Sequence, residues 1–163
     1  MMNVYELPLR GAWYVVADGA NRAPGQHRQQ PRTTHHALYL LDLPGYGYAR
    51  ASQAERAGFR RLVEGVLHRD RLIGVVWLLD VRRAPSPDDL AMQDAFAAAG
   101  TPVLAAVTKA DKVPRGERLR RLGALQQALT LPEEQVIATS ARTGDGIDEL
   151  RDAVAGLVRA DPA

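Results

Sequence analysis

The sequence predicts a single α/β domain in which helices cover both faces of a mostly parallel sheet. From residue 37 onward, short apolar runs alternate with longer amphipathic stretches, as strands and helices do in this class. The apolar runs are hydrophobic at successive positions, which is typical of strands buried on both faces. A chain of 163 residues, 46% of them hydrophobic, is long enough to form one such core.

The strands are predicted from apolar runs that are bounded by turn residues. They cover residues 12–17, 37–41, 72–79, 102–107 and 135–138. In an open α/β sheet, ligands bind at the carboxyl ends of the strands. The polar motifs of this chain follow such strand ends, so we expect a binding site along one edge of the sheet.

The helices have clear start signals. Ser52 and Glu55 have the spacing of a capping box, and Ser86 precedes a first-turn proline, Pro87, and two acidic residues. These signals predict helices that run to about Leu67 and to Gly100. Two further helices are predicted over residues 117–129 and 146–159, the second with Asp145 as its cap.

Composition excludes several classes of protein. The chain has no cysteine, so neither a disulfide framework nor a thiolate metal site can form, and a reducing cytoplasm is the expected compartment. No apolar stretch approaches the roughly 20 residues of a membrane helix, and the first residues do not resemble a signal peptide. We therefore expect a protein without a membrane partner, and a monomer.

The segment "LLDLPG" raises the first question of function. It places Asp42 and Gly45 at the end of a predicted strand. A carboxylate there can reach the water shell of a metal ion, and a glycine amide can approach a phosphate without hindrance from a side chain. A DxxG pattern on its own is a weak signal, because Asp42 could equally be a turn cap.

Two more strand ends carry polar motifs, "TKAD" at residues 108–111 and "TSA" at residues 139–141. A guanine base fits them. Asp111 can accept hydrogen bonds from the ring N–H and the exocyclic amine, the stem of Lys109 can cover the base face, and the Ala141 amide can donate to the base oxygen. Each motif alone could be a cap or a solvated ion pair, but three strand ends in this order favour guanine recognition.

At this point the sequence resembles the EngB family of translation-factor-class GTPases. The resemblance rests on "DLPGYGYA", "DVRRAPSPDDLAMQ", "PVLAAVTKADK" and "EQVIATSARTGDGIDELR", and it covers about residues 37–158. It implies a three-layer P-loop NTPase-like fold and a role in assembly of the large ribosomal subunit. By resemblance, the nucleotide-binding residues are Asp42, Leu43, Pro44, Gly45, Thr108, Lys109, Ala110, Asp111, Thr139, Ser140 and Ala141.

The same resemblance implies GTP or GDP as ligand, with Mg²⁺. Asp42 would bind the metal through a water molecule. The segment "QQPRTTHH" resembles the switch segment of the family, so Thr33 or Thr34 would be the metal-binding threonine.

One expected motif is missing. The phosphate loop of the family, G-x-x-x-x-G-K-[ST], should lie upstream of residue 37, but no lysine precedes Lys109. The nearest candidate, residues 19–27, has one residue too many, lacks the Lys-Ser pair and contains Pro24, which has no amide donor. Phosphate binding and GTP hydrolysis are therefore in doubt for this chain.

The N-terminal segment is also short. Only 36 residues precede Ala37, too few for a strand, loop, full helix, switch segment and second strand. We expect an altered segment over residues 1–36 and an EngB-type G domain over residues 37–160. A pseudo-GTPase, a degenerate gene and a reading-frame error in the first stretch all remain open. Tyr46, at the position of a water-orienting glutamine, predicts slow hydrolysis in any case.

Arginines concentrate on two predicted helices and suggest a further partner. They are Arg50, Arg56, Arg60 and Arg61 on the first, and Arg115, Arg118, Arg120 and Arg121 on the third. On charge patterning alone, a solvated helix face explains them as well. The ribosomal role implied by the resemblance favours contact with ribosomal RNA, and a nucleotide-independent RNA-binding module remains the alternative function.

Overall fold

The computed structural model describes residues 13–18, 38–43, 52–69 and 72–160. Five strands and four α-helices make up this part of the chain. The strands are β1 (Trp13–Asp18), β2 (Leu38–Leu43), β3 (Leu72–Asp80), β4 (Val103–Thr108) and β5 (Val136–Ala138), and the helices are α1 (Gln53–Leu67), α2 (Pro87–Ala99), α3 (Arg115–Leu129) and α4 (Ile147–Ala160). The predicted α/β class is confirmed.

The strands form one sheet in the order β2-β1-β3-β4-β5. Strands β3, β4 and β5 are parallel, and residues 80 and 108 lie level with each other at the ends of β3 and β4. Strand β2 runs in the same direction as these three, because it and β3 both pair antiparallel with β1. The carboxyl ends of β2, β3, β4 and β5 therefore point toward one edge of the sheet.

Strand β1 differs from the expectation for a parallel sheet. It lies between β2 and β3 and runs antiparallel to both. Antiparallel neighbours can be joined without a crossover helix, whereas parallel neighbours cannot. Its carboxyl end, Asp18, pairs with Leu38 at the amino end of β2. Asp18 thus lies at the edge opposite to the predicted binding site.

Two hydrophobic clusters cover the two faces of the sheet. On one face, Trp77 of β3 is fully buried and makes an edge-to-face contact with Phe96 of α2, with ring centroids 5.4 Å apart. Helices α1 and α3 add further buried side chains to this cluster. On the other face, Val76 packs with residues of α4. Helices thus cover both faces, as the sequence predicts.

The predicted helix starts are confirmed for α1 and α2. Ser52 and Ser86 are their N-caps, each with a reciprocal capping box to the residue three positions later, and Gly100 ends α2 in a left-handed conformation. Helix α3 begins at Arg115, two residues before the prediction, because the amides of Glu117 and Arg118 donate to the Pro114 carbonyl.

The predicted cap of α4 is wrong in detail. Asp145 lies two residues before the helix, and Gly146 separates it from Ile147 with a positive φ of 70°. The carboxylate of Asp145 lies instead 3.8 Å from the guanidinium of Arg118 on α3. One acidic residue just before a helix in the sequence does not show whether it caps the helix or pairs with a cation on another helix.

No helix among the described residues is long and apolar enough to cross a membrane. The predicted boundary between residues 36 and 37 lies outside the described residues and stays a prediction.

Candidate functional site

The "TKAD" and "TSA" segments come together at the carboxyl edge of the sheet. The Thr139 amide donates to the Val107 carbonyl over 2.8 Å, and the Ala110 amide donates to the Thr139 carbonyl over 3.0 Å. These backbone bonds join the segment after β4 to the segment after β5. Thr139 and Ser140 are buried, so the second segment forms the floor of the junction.

Asp111 is the central acidic side chain of this junction. Its Oδ1 accepts from the Ser140 hydroxyl over 2.7 Å, and its Oδ2 accepts from Arg142 Nε over 2.8 Å. Only 6% of the Asp111 side chain is exposed. The Ser140 hydrogen bond, with Arg142 and Lys112 nearby, lowers the pKa of Asp111 below its ordinary value although burial opposes this. Asp111 is therefore held as a carboxylate, the form that accepts two hydrogen bonds from a guanine edge.

Lys109 has an unusual backbone conformation. Its φ of 61° and ψ of 31° place it in the left-handed region, which residues other than glycine rarely adopt. Its ammonium group donates to Asp80 Oδ2 over 2.9 Å. The side chain is thus directed back across the end of β3, with 37% of its surface exposed. Its stem is available to cover a ligand beside Asp111.

Asp80 itself is firmly held. Arg82 donates to it from the backbone amide, from Nε and from Nη2, over 3.0, 2.9 and 2.6 Å. These bonds, followed by the contact with Lys109, lower the pKa of Asp80 far below its ordinary value against the opposing effect of burial. Thr108 adds a link between β3 and β4, because its hydroxyl donates to the Leu79 carbonyl over 2.9 Å.

The turn after Ser140 presents Ala141 to solvent. The Ser140 carbonyl accepts from the Gly144 amide, and the Ser140 amide donates to the Asp145 carbonyl, both over 2.9 Å. Ala141 is exposed at the start of this turn. Within the described ranges, no atom accepts a hydrogen bond from its amide. That amide is available for the role predicted for it, donation to a base oxygen.

The predicted metal and phosphate residues are only partly described. Asp42 is exposed near the carboxyl end of β2, and Leu43 ends that strand and is buried. Three strand spacings of about 4.8 Å separate β2 from β4, so Asp42 could contact only a different part of the ligand from Asp111. Pro44, Gly45, Thr33 and Thr34 lie outside the described residues.

A carboxylate such as Asp42 suits Mg²⁺, but one oxygen ligand does not make a metal site. Within residues 13–18, 38–43, 52–69 and 72–160, no group of three or more His, Cys, Asp or Glu side chains could hold a metal ion. The Mg²⁺ site therefore stays a prediction.

Two residues of the site did not emerge from the sequence, Asp80 and Arg142. A signal for Asp80 was present: "LLD" ends the apolar run of β3 just as it ends that of β2. For Arg142 no pattern was available. Its role depends on the turn after Ser140, which brings its Nε to Asp111 across 31 positions of sequence.

Comparison with known proteins gives consistent relatives. No protein-family model matches the chain. A protein of Syntrophomonas wolfei named "Probable GTP-binding protein EngB" is 43% identical over 121 residues, which is 74% of this chain and 62% of the relative. Proteins of the same name from Gemmatimonas aurantiaca and Bacillus subtilis strain 168 are 46% and 37% identical, over 76% and 74% of this chain. The chain spans about three fifths of the length of these curated relatives, 61% and 63% for the latter two.

A solved structure adds support for the fold. The crystal structure of a probable GTP-binding protein EngB superposes with a TM-score of 0.61 and 18% sequence identity. The superposition covers 72% of this chain and 75% of the other. At this identity the likeness concerns the fold alone, and it agrees with a P-loop GTPase-like α/β arrangement.

Proposed function

Because this chain belongs to the EngB family over the three quarters of its length that align, we propose that it binds guanine nucleotides through the loops after β4 and β5. The observation that carries this proposal is the Asp111 carboxylate. Its side chain is only 6% exposed, it accepts from the Ser140 hydroxyl, and its pKa is lowered below the ordinary value.

The physical argument is one of matched hydrogen bonds. Guanine offers two adjacent donors and one acceptor along its edge, and Asp111 with the Ala141 amide offers the complementary set. Adenine offers an acceptor where guanine has its ring N–H. It would leave the Asp111 carboxylate facing a lone pair, so adenine should bind more weakly than guanine.

Calorimetric titration with guanosine and adenosine tests this proposal. We expect guanosine to bind and adenosine to bind at least tenfold more weakly. Lys112→Ala is a matched control, since Lys112 is exposed and lies 3.7 Å from the same carboxylate. It should retain the preference for guanosine, whereas Asp111→Ala should abolish it. Equal binding of the two nucleosides by the native chain would reject the proposal.

We further propose that the protein acts in assembly of the large ribosomal subunit and that its phosphate binding and hydrolysis are impaired. The impaired chemistry follows from the absence of any lysine before Lys109. Mg²⁺ would enter with the phosphates, through Asp42 and a threonine at position 33 or 34. The setting is the cytoplasm, with the protein as a monomer.

An RNA-binding module that needs no nucleotide is the second candidate, and the arginines of α1 favour it. Arg56, Arg60 and Arg61 are exposed, and none of the ion pairs between described residues involves them. The arginines of α3 are less available than the sequence suggested, because Arg120 and Arg121 share Glu117. RNA contact is therefore proposed for α1 first.

A further inference from the structure

The side chain of Lys109 is held by a residue on the neighbouring strand. Asp80, the last residue of β3, accepts from the Lys109 ammonium group through Oδ2 over 2.9 Å. The two residues are 29 positions apart in sequence, so the contact depends on the pairing of β3 with β4. The Asp80 side chain is 17% exposed, which shields this ion pair more than a typical surface pair.

Asp80 would stay ionised without Lys109. Arg82 already donates to both oxygens of the carboxylate through its own amide and guanidinium group. The short bidentate contact fixes the plane of the carboxylate and leaves Oδ2 directed at Lys109. The geometry is that of a rigid acceptor built to hold a second cation in one place.

Holding the Lys109 side chain in place would favour ligand binding. Its left-handed backbone stores conformational energy, and such strain is typical of residues at binding sites. A free lysine side chain also has many rotamers that binding must restrict. A ligand that packs against the stem of Lys109 would have to order it, unless another contact has already done so.

We propose that Asp80 is a positioning residue that holds the stem of Lys109 as one wall of the guanine site. The inference rests on the proposed function, because the base must lie between Lys109 and the loop of Ala141. Asp80 does not touch the base in this arrangement. It acts by removing the freedom of Lys109 before the ligand arrives.

Nucleoside binding gives the first test. Asp80→Asn keeps the size of the side chain and one acceptor but removes the charge that attracts Lys109. We expect guanosine affinity to fall about tenfold. The matched control is Asp148→Asn, which removes an exposed carboxylate that pairs with Arg151 on α4, and it should bind as the native chain does.

A double-mutant cycle separates positioning from general loosening of the fold. Lys109→Met keeps an unbranched stem without the ammonium group. In the Lys109→Met background, Asp80→Asn should weaken guanosine binding less than twofold, because there is no ion pair left to break. An equal loss in both backgrounds would overturn the proposal, as would native affinity in the Asp80→Asn chain.

A measurement without nucleotide completes the test. The chain has only two lysines, Lys109 and Lys112, so acylation of each can be followed by mass spectrometry with Lys112 as the internal reference. Asp80→Asn should raise the labelling rate of Lys109 relative to Lys112 severalfold, and Asp148→Asn should leave the ratio unchanged. An unchanged ratio in Asp80→Asn would overturn the positioning role of Asp80 but not the proposed function. A native chain that binds no guanosine would overturn the proposed function and, with it, the role of this pair in guanine binding.

Discussion

The Ser140 hydroxyl donates to Asp111 Oδ1 over 2.7 Å and so joins two loops that lie 29 residues apart in sequence. Ser140 is fully buried, and its oxygen in turn accepts from the Thr143 amide over 3.2 Å. The direction of the Asp111 carboxylate is thereby fixed by the fold before any ligand binds. Oδ1 accepts from Ser140 and Oδ2 accepts from Arg142, and each carboxylate oxygen keeps a second lone pair for a donor of a base.

Asp111→Asn should move the preference of the chain from guanine to xanthine. The asparagine oxygen can keep the hydrogen bond from Ser140, which places the amide nitrogen where Oδ2 stands now; the exposed Arg142 side chain then loses its contact, because Nε cannot donate to another donor. The amide nitrogen donates, and xanthine has a carbonyl where guanine has its amine. In calorimetric titrations, the Asp111→Asn chain should bind xanthosine about tenfold or more tightly than guanosine, which reverses the preference of the native chain.

Ser140→Ala provides the control for this exchange. It removes the hydroxyl that orients residue 111 but leaves the carboxylate in place, so it should weaken guanosine binding without a new preference for xanthosine. Retained preference for guanosine in Asp111→Asn would show that Asp111 does not read the base.

The sequence predicts the edge of the sheet where the site lies, because its polar motifs directly follow apolar strands. It also predicts the pairing of the loops of Asp111 and Ser140, since parallel strands end at the same edge. Asp80 and Arg142 escaped prediction because their roles depend on side-chain contacts across 29 and 31 positions of sequence. The direction of β1 escaped as well, since an apolar run is the same in either direction.

Acid should destabilise the fold through Asp80 and Asp111. The pKa of each carboxyl group is lower in the folded chain than its ordinary value, so the unfolded chain takes up these protons first as the pH falls. Their stabilising contribution is complete above about pH 4 and is lost as the pH falls through the lower folded-state pKa values. Urea unfolding between pH 2 and 6 should show a falling free energy of unfolding below pH 4.

Variants assign this acid sensitivity. Asp80→Asn should flatten the pH dependence of the free energy of unfolding below pH 4, because the side-chain amide of asparagine does not take up a proton in this range. Asp111→Asn should also flatten this pH dependence, by an amount that need not equal the effect of Asp80→Asn. If both variants keep the full slope of the native chain, these two carboxylates are not its source.

Arg60 and Arg61 provide the test of RNA contact. Binding to large-subunit particles should weaken steeply as salt rises, because each neutralised phosphate releases counterions. Arg60→Glu with Arg61→Glu should weaken binding at every salt concentration and lower the slope of log affinity against log salt by about 1–2. Arg151→Glu, on α4 at the opposite face of the sheet, is the control. An affinity that barely changes across the salt titration would remove the RNA proposal.

A side chain at Gly146 should be costly, because two constraints act on this residue at once. It has a positive φ of 70°, and a Cβ there would collide with the carbonyl oxygen of Ala138 at the end of β5. Gly144 has a φ of 80° but open space around it. Gly144→Ala therefore measures the backbone cost alone, about 1–2 kcal/mol, and Gly146→Ala should cost about 2 kcal/mol more in the free energy of unfolding. Equal costs would show that Gly146 is not confined by β5.

The phosphates should contribute little to binding in this chain. An intact phosphate loop concentrates binding energy on the β-phosphate through several amides and one lysine, so a working GTPase binds GDP far more tightly than guanosine. Here no lysine precedes Lys109. In addition, β1 is antiparallel, so its carboxyl end, Asp18, lies at the opposite edge of the sheet to Asp111. We expect guanosine, GDP and GTP to bind with similar, weak affinity.

Calorimetric titration of the three ligands with and without Mg²⁺ measures this directly, together with an assay of phosphate release that should detect no hydrolysis. Guanosine serves as the internal control, because it reports the base site around Asp111 without any phosphate. Asp42→Ala should leave guanosine binding unchanged, since β2 lies three strand positions from β4. Tight GDP binding, with Mg²⁺ needed only for GTP, would mean that residues 19–34 supply a phosphate site that their sequence does not reveal, and the proposal of impaired phosphate binding would then be wrong.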